Sequence, residues 1–274
     1  MEPTIFKKFC EITYEKSGIT LKPGKEALVE ARVAKRQRAL QIGTPKDYLA
    51  YLEADETGEE LVCFLDAIST NFTHFFREKS HFEILAQETE KWLQQGSRSI
   101  RIWCAASSTG EEPYTIAMTM AHALEHTDAT FKLLATDIST RVLDRAAGGV
   151  YNREQISPVE RSLLLKYFTR MRSPESGEDV YAVKPSLKKC VVFRRLNLSA
   201  PPFPMHGPLD AVFCRNVMIY FDHRVRERLI NEIERLIKPG GILFIGHSET
   251  LAGINCDLKL IKPSVYRKPK NDGT

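Results

Sequence analysis

The chain has 274 residues, 43% hydrophobic and 27% charged, with a formal net charge of +4 at pH 7. That length suits one or two domains with a sizeable core, and so mild a charge gives no ground for a nucleic-acid partner. Six cysteines at positions 10, 63, 104, 190, 214 and 256 include no C-x-x-C pair, which argues against a metal centre or a disulfide framework and suits a reducing cytoplasm. No apolar run approaches the roughly 20 residues of a membrane span. The opening MEPTIFKKFCEIT is helix-like and lacks the apolar core of a signal peptide, so no membrane insertion is expected.

Residues 1–75 read as a wholly helical N-terminal domain. Ile5, Phe9 and Ile12 mark one face of a first helix, closed by Ser17-Gly18. A second helix is expected over 22–41, ended by Gly43 and Pro45, and acid-rich helices follow over 45–54 and 59–68. On the second helix Lys25, Arg32, Lys35 and Arg36 fall within about a third of the circumference at 3.6 residues per turn. Such a strip is either a solvated face or a docking surface for an acidic partner helix.

Residues 69–82, STNFTHFFREKSHF, are aromatic, polar and basic at once, and offer Asn71, Thr73, His74 and Arg77. They lie where the helical segment gives way to the rest of the chain, and domain boundaries are favoured places for ligand pockets. A linker is expected over 76–96, carrying a helix over 81–95 that Gly96 stops; the remaining unit runs over 76–274.

Next comes SIRIWCAASSTGEEPYTIAMTMAHAL, 99–124, which reads as buried strand, tight turn and amphipathic helix. Thr109-x-x-Glu112 fits a capping box, and Pro113 falls in the first turn, where a missing N–H costs little. A strand–glycine turn–helix unit is the usual cofactor cradle of a doubly wound sheet, but Gly110 stands alone instead of in G-x-G-x-x-G. Glu111 and Glu112 also occupy the helix N-terminus, where a pyrophosphate would otherwise be attracted. A ligand with hydroxyls and positive charge suits this cradle better than NAD or ATP; S-adenosylmethionine fits. Alternatively, both glutamates only cap the helix.

The second strand, FKLLATD over 131–137, ends in Asp137, placed either to accept hydrogen bonds from ribose hydroxyls or to cap the helix over 139–147. Gly148-Gly149 stops that helix, and Ser157-Pro158 starts another that runs to about residue 168. The stretch 169–190, beginning with the loop-like RMRSPESGED, reads as a small β excursion from the sheet. A strand over 188–198 ends in Asn197-Leu198, and another over 209–214 leaves Arg215, Asn216 and Tyr220 beyond its carboxyl end, where a parallel sheet binds ligands. A helix over 222–237, capped by Asp222, is expected to stop at Pro239-Gly240-Gly241, followed by strands over 242–246, 258–261 and 264–267.

With TNFTHFFRE, AASSTGEEPYT, ATDIS, a strand ending in NL, FCRNVMIYF and GHSE in one order along nearly the whole length, the chain resembles the chemotaxis receptor methyltransferases, the CheR family. The resemblance implies an N-terminal helical domain, a linker and a class I S-adenosylmethionine-dependent methyltransferase domain. The last is an α/β, Rossmann-like, mostly parallel sheet with its last strand antiparallel and a small antiparallel β subdomain inserted. It further implies that Asn71, Thr73, Arg77, Glu112, Asp137, Asn197, Leu198, Arg215 and Asn216 line the cofactor site. Arg77 and Tyr220 would stand nearest the transferred methyl group. The activity implied is protein-glutamate O-methylation, with S-adenosylhomocysteine as product and the cytoplasmic helical region of methyl-accepting chemotaxis receptors as partner. The family's basic N-terminal helix faces acidic receptor helices, which favours the docking reading of Arg32, Lys35 and Arg36. Some members also bind a receptor's C-terminal pentapeptide through the β subdomain, a property that RMRSPESGED does not assign.

Rival readings are a methyltransferase of another protein substrate and a silent S-adenosylmethionine-binding regulator. A nucleic-acid amino-methyltransferase would carry a D/N-P-P-Y/F-type motif where RNVMIYF stands, and a Rossmann oxidoreductase would need the missing glycines. His74, His81 and His247 lie near motifs, but a lone histidine is more often structural, and methylating an ionised carboxylate needs no general base.

Overall fold

A computed structural model describes residues 1–21, 24–69, 71–174 and 177–270. Position 22, where the second helix is expected to begin, position 70 of the aromatic stretch and positions 175–176 of the RMRSPESGED loop lie outside the described residues.

Four helices come first: α1 (Pro3–Ser17), α2 (Glu26–Leu40), α3 (Pro45–Glu53) and α4 (Glu59–Ile68). Their apolar faces close on a core of Phe9, Val29, Val33, Tyr48, Leu49, Leu52, Phe64, Leu65 and Ile68, in which the rings of Phe9, Tyr48 and Phe64 meet at 5.5–6.3 Å. Helix α1 ends as expected, on Gly18 in the left-handed conformation.

The expected basic strip is dispersed. Arg36 turns inward and grips Glu60 with Nε at 2.9 Å and Nη2 at 2.5 Å, while the Tyr48 hydroxyl donates to the same carboxylate at 2.6 Å. A planar guanidinium fits a carboxylate bidentately, and the buried Glu60 needs that partner, so Arg36 is not a free docking residue. Arg32 is half-buried and Lys35 exposed. Lys25 precedes α2 and lies on the wall of the cavity described below.

After α5 (Ser80–Gln94) the α/β unit contains β1 (Ser99–Cys104), α6 (Glu111–Ala123), β2 (Thr130–Asp137) and α7 (Thr140–Gly148). A small region follows: β3 (Val150–Asn152), α8 (Arg153–Ile156), α9 (Arg161–Tyr167), β4 (Phe168–Arg172), β5 (Asp179–Val183) and α10 (Pro185–Lys188). The chain then re-enters the main sheet with β6 (Val191–Arg195), β7 (Leu209–Cys214), α11 (His223–Leu236), β8 (Ile237–Ile245), β9 (Lys259–Lys262) and β10 (Val265–Arg267).

The main sheet has seven strands in the order β6-β2-β1-β7-β8-β10-β9. The first five are parallel, and β10 is antiparallel to both of its neighbours. Alternation divides the sheet's faces: Ile100, Ile102, Phe213 and Phe244 face α5 and α6, whereas Trp103, Val212, Leu243 and Ile245 face α11. Covered on both sides, β7 is buried at every position.

The second sheet, β3-β5-β4, is antiparallel and forms the inserted β subdomain. It starts earlier than expected, since Val150–Asn152 pairs with β5; three residues carry too little alternation to be recognised as a strand in sequence. Pro239-Gly240-Gly241 is likewise not a stop between helix and strand. Strand β8 runs through it with a register shift against β7, the kind of irregularity at which a strand tolerates proline.

The helical segment is seated on the sheet's carboxyl edge. The Thr20 N–H donates to the Tyr220 carbonyl at 2.8 Å, and the Asn197 amide donates to the Lys16 carbonyl at 2.9 Å. Gly18 permits this contact, because a Cβ there would stand 2.4 Å from Ser199 Cβ.

Candidate active site

The carboxyl ends of β1, β2, β6 and β7 open onto a cavity of about 320 Å³, which the segment around Ile19–Leu21 and Lys25 of the helical region closes from the far side. All nine residues expected at a cofactor site line it: Asn71, Thr73, Arg77, Glu112, Asp137, Asn197, Leu198, Arg215 and Asn216. Tyr220 lines it too. Arg32, Lys35 and Arg36 do not; Lys25 is the one basic-strip residue on its wall.

Arg215 forms the cavity's electrostatic centre. Its side chain is fully buried, donating from Nη1 to Glu112 at 2.7 Å, from Nη2 to Glu78 at 3.0 Å and from Nη2 to the Arg77 carbonyl at 2.6 Å. The other oxygen of Glu112 accepts from the Cys104 thiol, at 3.2 Å. Burial pushes the Glu112 carboxyl up despite Arg215 beside it. For Glu78, burial also pushes upward, but the charge and hydrogen bonds of Arg215 outweigh it and hold the group below its ordinary value.

Glu112 is therefore not part of a capping box. Gly110, at φ 98°, stands at the N-cap with no side-chain cap bond, and the Thr109 hydroxyl donates to Glu111 at 2.6 Å. Gln155 donates to the other Glu111 oxygen at 3.1 Å. The ion pair with Arg215 removes Glu112 from reach of the helix terminus, while Glu111 serves its own local turn.

Asp137 is buried at the end of β2. The Ser108 N–H donates to one of its oxygens at 2.8 Å and the Ser139 N–H to the other at 3.1 Å. Each carboxylate oxygen has two lone pairs, so both retain accepting capacity toward the cavity. Capping of α7 falls to Ser139, whose hydroxyl accepts from the Val142 N–H, so Asp137 is not the N-cap. Burial pushes the Asp137 carboxyl up.

Left-handed residues shape the cavity's approach, among them Ser108 (φ 46°) on its wall. Phe76 (φ 57°) and Glu78 (φ 56°) flank Arg77, and Asn216 (φ 57°) follows Arg215. Non-glycine residues in this region need support from their surroundings. Glu249 supplies part of it, accepting from the N–H groups of Asn216 at 2.9 Å, Gly246 at 2.7 Å and Ile219 at 3.3 Å. Gly246 is needed because a Cβ there would lie 2.4 Å from Asn216 Nδ2.

Arg77 donates from Nη1 to the Phe72 carbonyl at 3.0 Å. The Asn197 side chain is engaged with Lys16 and Ser199, so it contributes to the cavity wall while tying the helical region in place. Glu78, Ser108 and Glu249 were not singled out from sequence as site residues. Glu78 and Glu249 stand inside TNFTHFFRE and GHSE, but nothing in the spacing brings them to residues 215 and 216.

Glu78, His81 and His247 also bring potential ligand atoms within 4.8 Å of one another. The oxygen of Glu78 nearest both rings already accepts two bonds from Arg215, whose fixed charge disfavours a divalent cation there.

The donor set suits a cation bearing hydroxyls: buried carboxylates at Glu112 and Asp137 welcome an ammonium or sulfonium and ribose hydroxyls, and would repel a phosphate. Comparison with known proteins agrees. Residues 71–267 match the family described as CheR methyltransferase, SAM binding domain, and residues 4–69 match CheR methyltransferase, all-alpha domain.

The chain belongs to the CheR methyltransferase family.

It is 38% identical over 266 residues to the chemotaxis protein methyltransferase of Salmonella typhimurium, covering 97% of this chain and 90% of that one. It is 40% identical over 261 residues to chemotaxis protein methyltransferase 2 of Pseudomonas aeruginosa, covering 95% and 91%. The fold is thus that of a CheR protein, with its all-α domain and its S-adenosylmethionine-binding domain, and the activity is methyl transfer in chemotaxis. Among the described residues no helix is long and apolar enough to cross a membrane.

Proposed function

We propose that this CheR methyltransferase esterifies glutamate side chains in the cytoplasmic helical region of chemoreceptors, with S-adenosylmethionine as donor. The observation that carries the reading is the juxtaposition, in one cavity, of two buried carboxylates with Arg77 and Tyr220. When bound, S-adenosylmethionine supplies a methyl group on a positively charged sulfur; a carboxylate oxygen takes it as the S–C bond breaks, no proton moves, and S-adenosylhomocysteine remains.

Glu112 holds the donor's ammonium through the oxygen that Arg215 leaves free, and Asp137 holds the ribose hydroxyls. Asn71, Thr73, Asn197, Leu198, Arg215 and Asn216 complete the wall. The accepting glutamate is ionised at neutral pH, its ordinary pKa being ~4.3, so no general base is required. Arg77 orients that carboxylate with its guanidinium fork and Tyr220 donates to one of its oxygens. The segment around Ile19–Leu21 shields the pair from water, which favours a step in which two opposite charges vanish.

The test is transfer of tritiated methyl groups from S-adenosylmethionine to receptor-containing membranes, followed by treatment with base. Label released as methanol identifies a carboxyl ester. Label that stays bound identifies methylated nitrogen and overturns the reading.

A further inference from the structure

Single apolar side chains on a protein's surface are ordinary. Phe72 and Ile219 stand apart because, of the large apolar side chains exposed among the described residues, they alone line the cavity. Phe72 is 74% exposed and Ile219 43%. Each adjoins one of the two residues assigned above to the accepting carboxylate. The Phe72 carbonyl accepts from Arg77 Nη1 at 3.0 Å, and Ile219 precedes Tyr220 in a one-turn helix, Met218–Tyr220.

Neither side chain owes its exposure to slack backbone. Next to Phe72, the Asn71 carbonyl accepts from the Ser108 hydroxyl at 3.0 Å, and the Ile219 N–H donates to the buried Glu249 at 3.3 Å. The main chain is thus pinned at both places while the side chains are left outside. The Phe72 ring meets that of the exposed His74 edge-on at 6.2 Å. Apolar area fixed in water beside a reaction centre gains free energy when another surface covers it.

We propose that Phe72 and Ile219 are specificity-determining residues that receive the acceptor-bearing helix beside the glutamate being methylated, so that the site selects glutamates flanked one helical turn away by apolar residues. The inference rests on the acceptor reading proposed above. On a helix, side chains three and four positions apart share a face, with Cβ atoms about 5–6 Å from one another. A glutamate reaching in toward Arg77 and Tyr220 therefore brings its neighbours of the preceding and following turns down onto the rim. A polar neighbour there loses water without gaining a partner, whereas an apolar one buries area on both molecules. Charge does not set this preference, because Lys25 and Arg77 on the same wall attract any ionised carboxylate alike.

The test is steady-state transfer of tritiated methyl groups from S-adenosylmethionine, by the full chain, to membranes containing a receptor with a single acceptor glutamate. That receptor carries either leucine or glutamine at both positions four residues from the glutamate, a pair of uncharged residues with similar helix propensity. The wild-type chain is expected to methylate the leucine-flanked receptor with a kcat/KM about tenfold higher, the effect of covering one apolar side chain. Phe72→Ala and Ile219→Ala are each expected to reduce that ratio to about threefold, with the loss falling on KM for the receptor and none on KM for S-adenosylmethionine. Phe72→Leu, which keeps an apolar side chain, is expected to hold the ratio within about twofold of wild type. Leu260→Ala, 61% exposed on the edge strand β9 and away from the cavity, controls for lost surface area and should leave the ratio unchanged.

Equal rates on the two receptors by the wild-type chain would overturn the proposal, and so would an unaltered ratio in both alanine variants. A raised KM for S-adenosylmethionine in Phe72→Ala with the receptor ratio intact would assign Phe72 to the donor site and overturn it as well. A wild-type chain that methylates neither receptor would overturn the acceptor reading together with this one.

Discussion

Two arginines in this CheR methyltransferase, one half-buried and one fully buried, occupy outwardly similar clusters that have opposite consequences. In the helical domain, Arg36 meets one carboxylate, Glu60, which also receives the Tyr48 hydroxyl, and the surroundings are packed with Phe9, Tyr48 and Phe64 rings. Charge is balanced and space is filled, so the cluster fixes helices and nothing more. In the α/β domain, Arg215 meets two carboxylates, is approached by left-handed backbone at Phe76, Glu78 and Asn216, and borders a cavity. Unbalanced charge beside open space is a binding site; balanced charge in filled space is a brace. The residue type does not distinguish the two.

The sharpest test removes each arginine. Arg215→Ala leaves Glu112 and Glu78 without their cation, and a loss of about 3–5 kcal/mol in unfolding free energy is expected together with loss of S-adenosylhomocysteine binding. Arg36→Ala should lower stability by about 3 kcal/mol while the dissociation constant for S-adenosylhomocysteine stays at the wild-type value. A shift in that constant for Arg36→Ala would break the comparison. Denaturant titration and calorimetry on both variants decide it.

A pH effect of similar size belongs to the second cluster alone. His81 faces Glu78, Arg215 and His247 and packs against Phe244, and its folded pKa is about 4. In the unfolded chain it titrates near ~6.5, so between these values the unfolded state holds more protons. Stability is therefore full above the unfolded pKa and falls as pH drops toward the folded one, by up to about 3 kcal/mol. Urea midpoints from about pH 7.5 to about pH 4.5 should show this decline in wild type and a flatter profile in His81→Phe.

Smaller effects come from single side chains that line the cavity. Arg77→Ala is expected to lower turnover about a hundredfold with the fold intact, since it removes orientation of the acceptor; wild-type turnover would exclude Arg77 from the chemistry. Asp137→Ala should weaken S-adenosylhomocysteine binding about tenfold, the worth of hydrogen bonds to a charged acceptor. An unchanged dissociation constant would remove Asp137 from the ribose site.

Much of this was legible in the chain. Alternation and glycine turns place β1, β2 and β7 within a residue or so, and Asp222 announces α11, whose N-cap it is. The cavity residues were legible for a related reason: Asn197, Arg215 and Asn216 sit where parallel strands end, and strand ends converge on one edge of the sheet whatever the details of packing. The local readings that failed share a different cause. Arg36 as an exposed helix face and Glu112 as a capping box each gave way to a partner elsewhere in the chain, and the alternative account of Asp137, as N-cap of α7, gave way to Ser139.

Local pattern by itself determined the helical domain, the doubly wound sheet and the cluster of polar residues at its carboxyl edge, because hydrophobic periodicity and turn chemistry act over a few residues. Only the tertiary structure decided which charges are paired. Arg215 reaches Glu78 across 137 positions and Glu112 across 103, and Arg36 finds Glu60 across 24. A guanidinium is satisfied by whichever carboxylate the fold places within hydrogen-bonding distance, and that is set by the packing of whole elements rather than by neighbours along the chain.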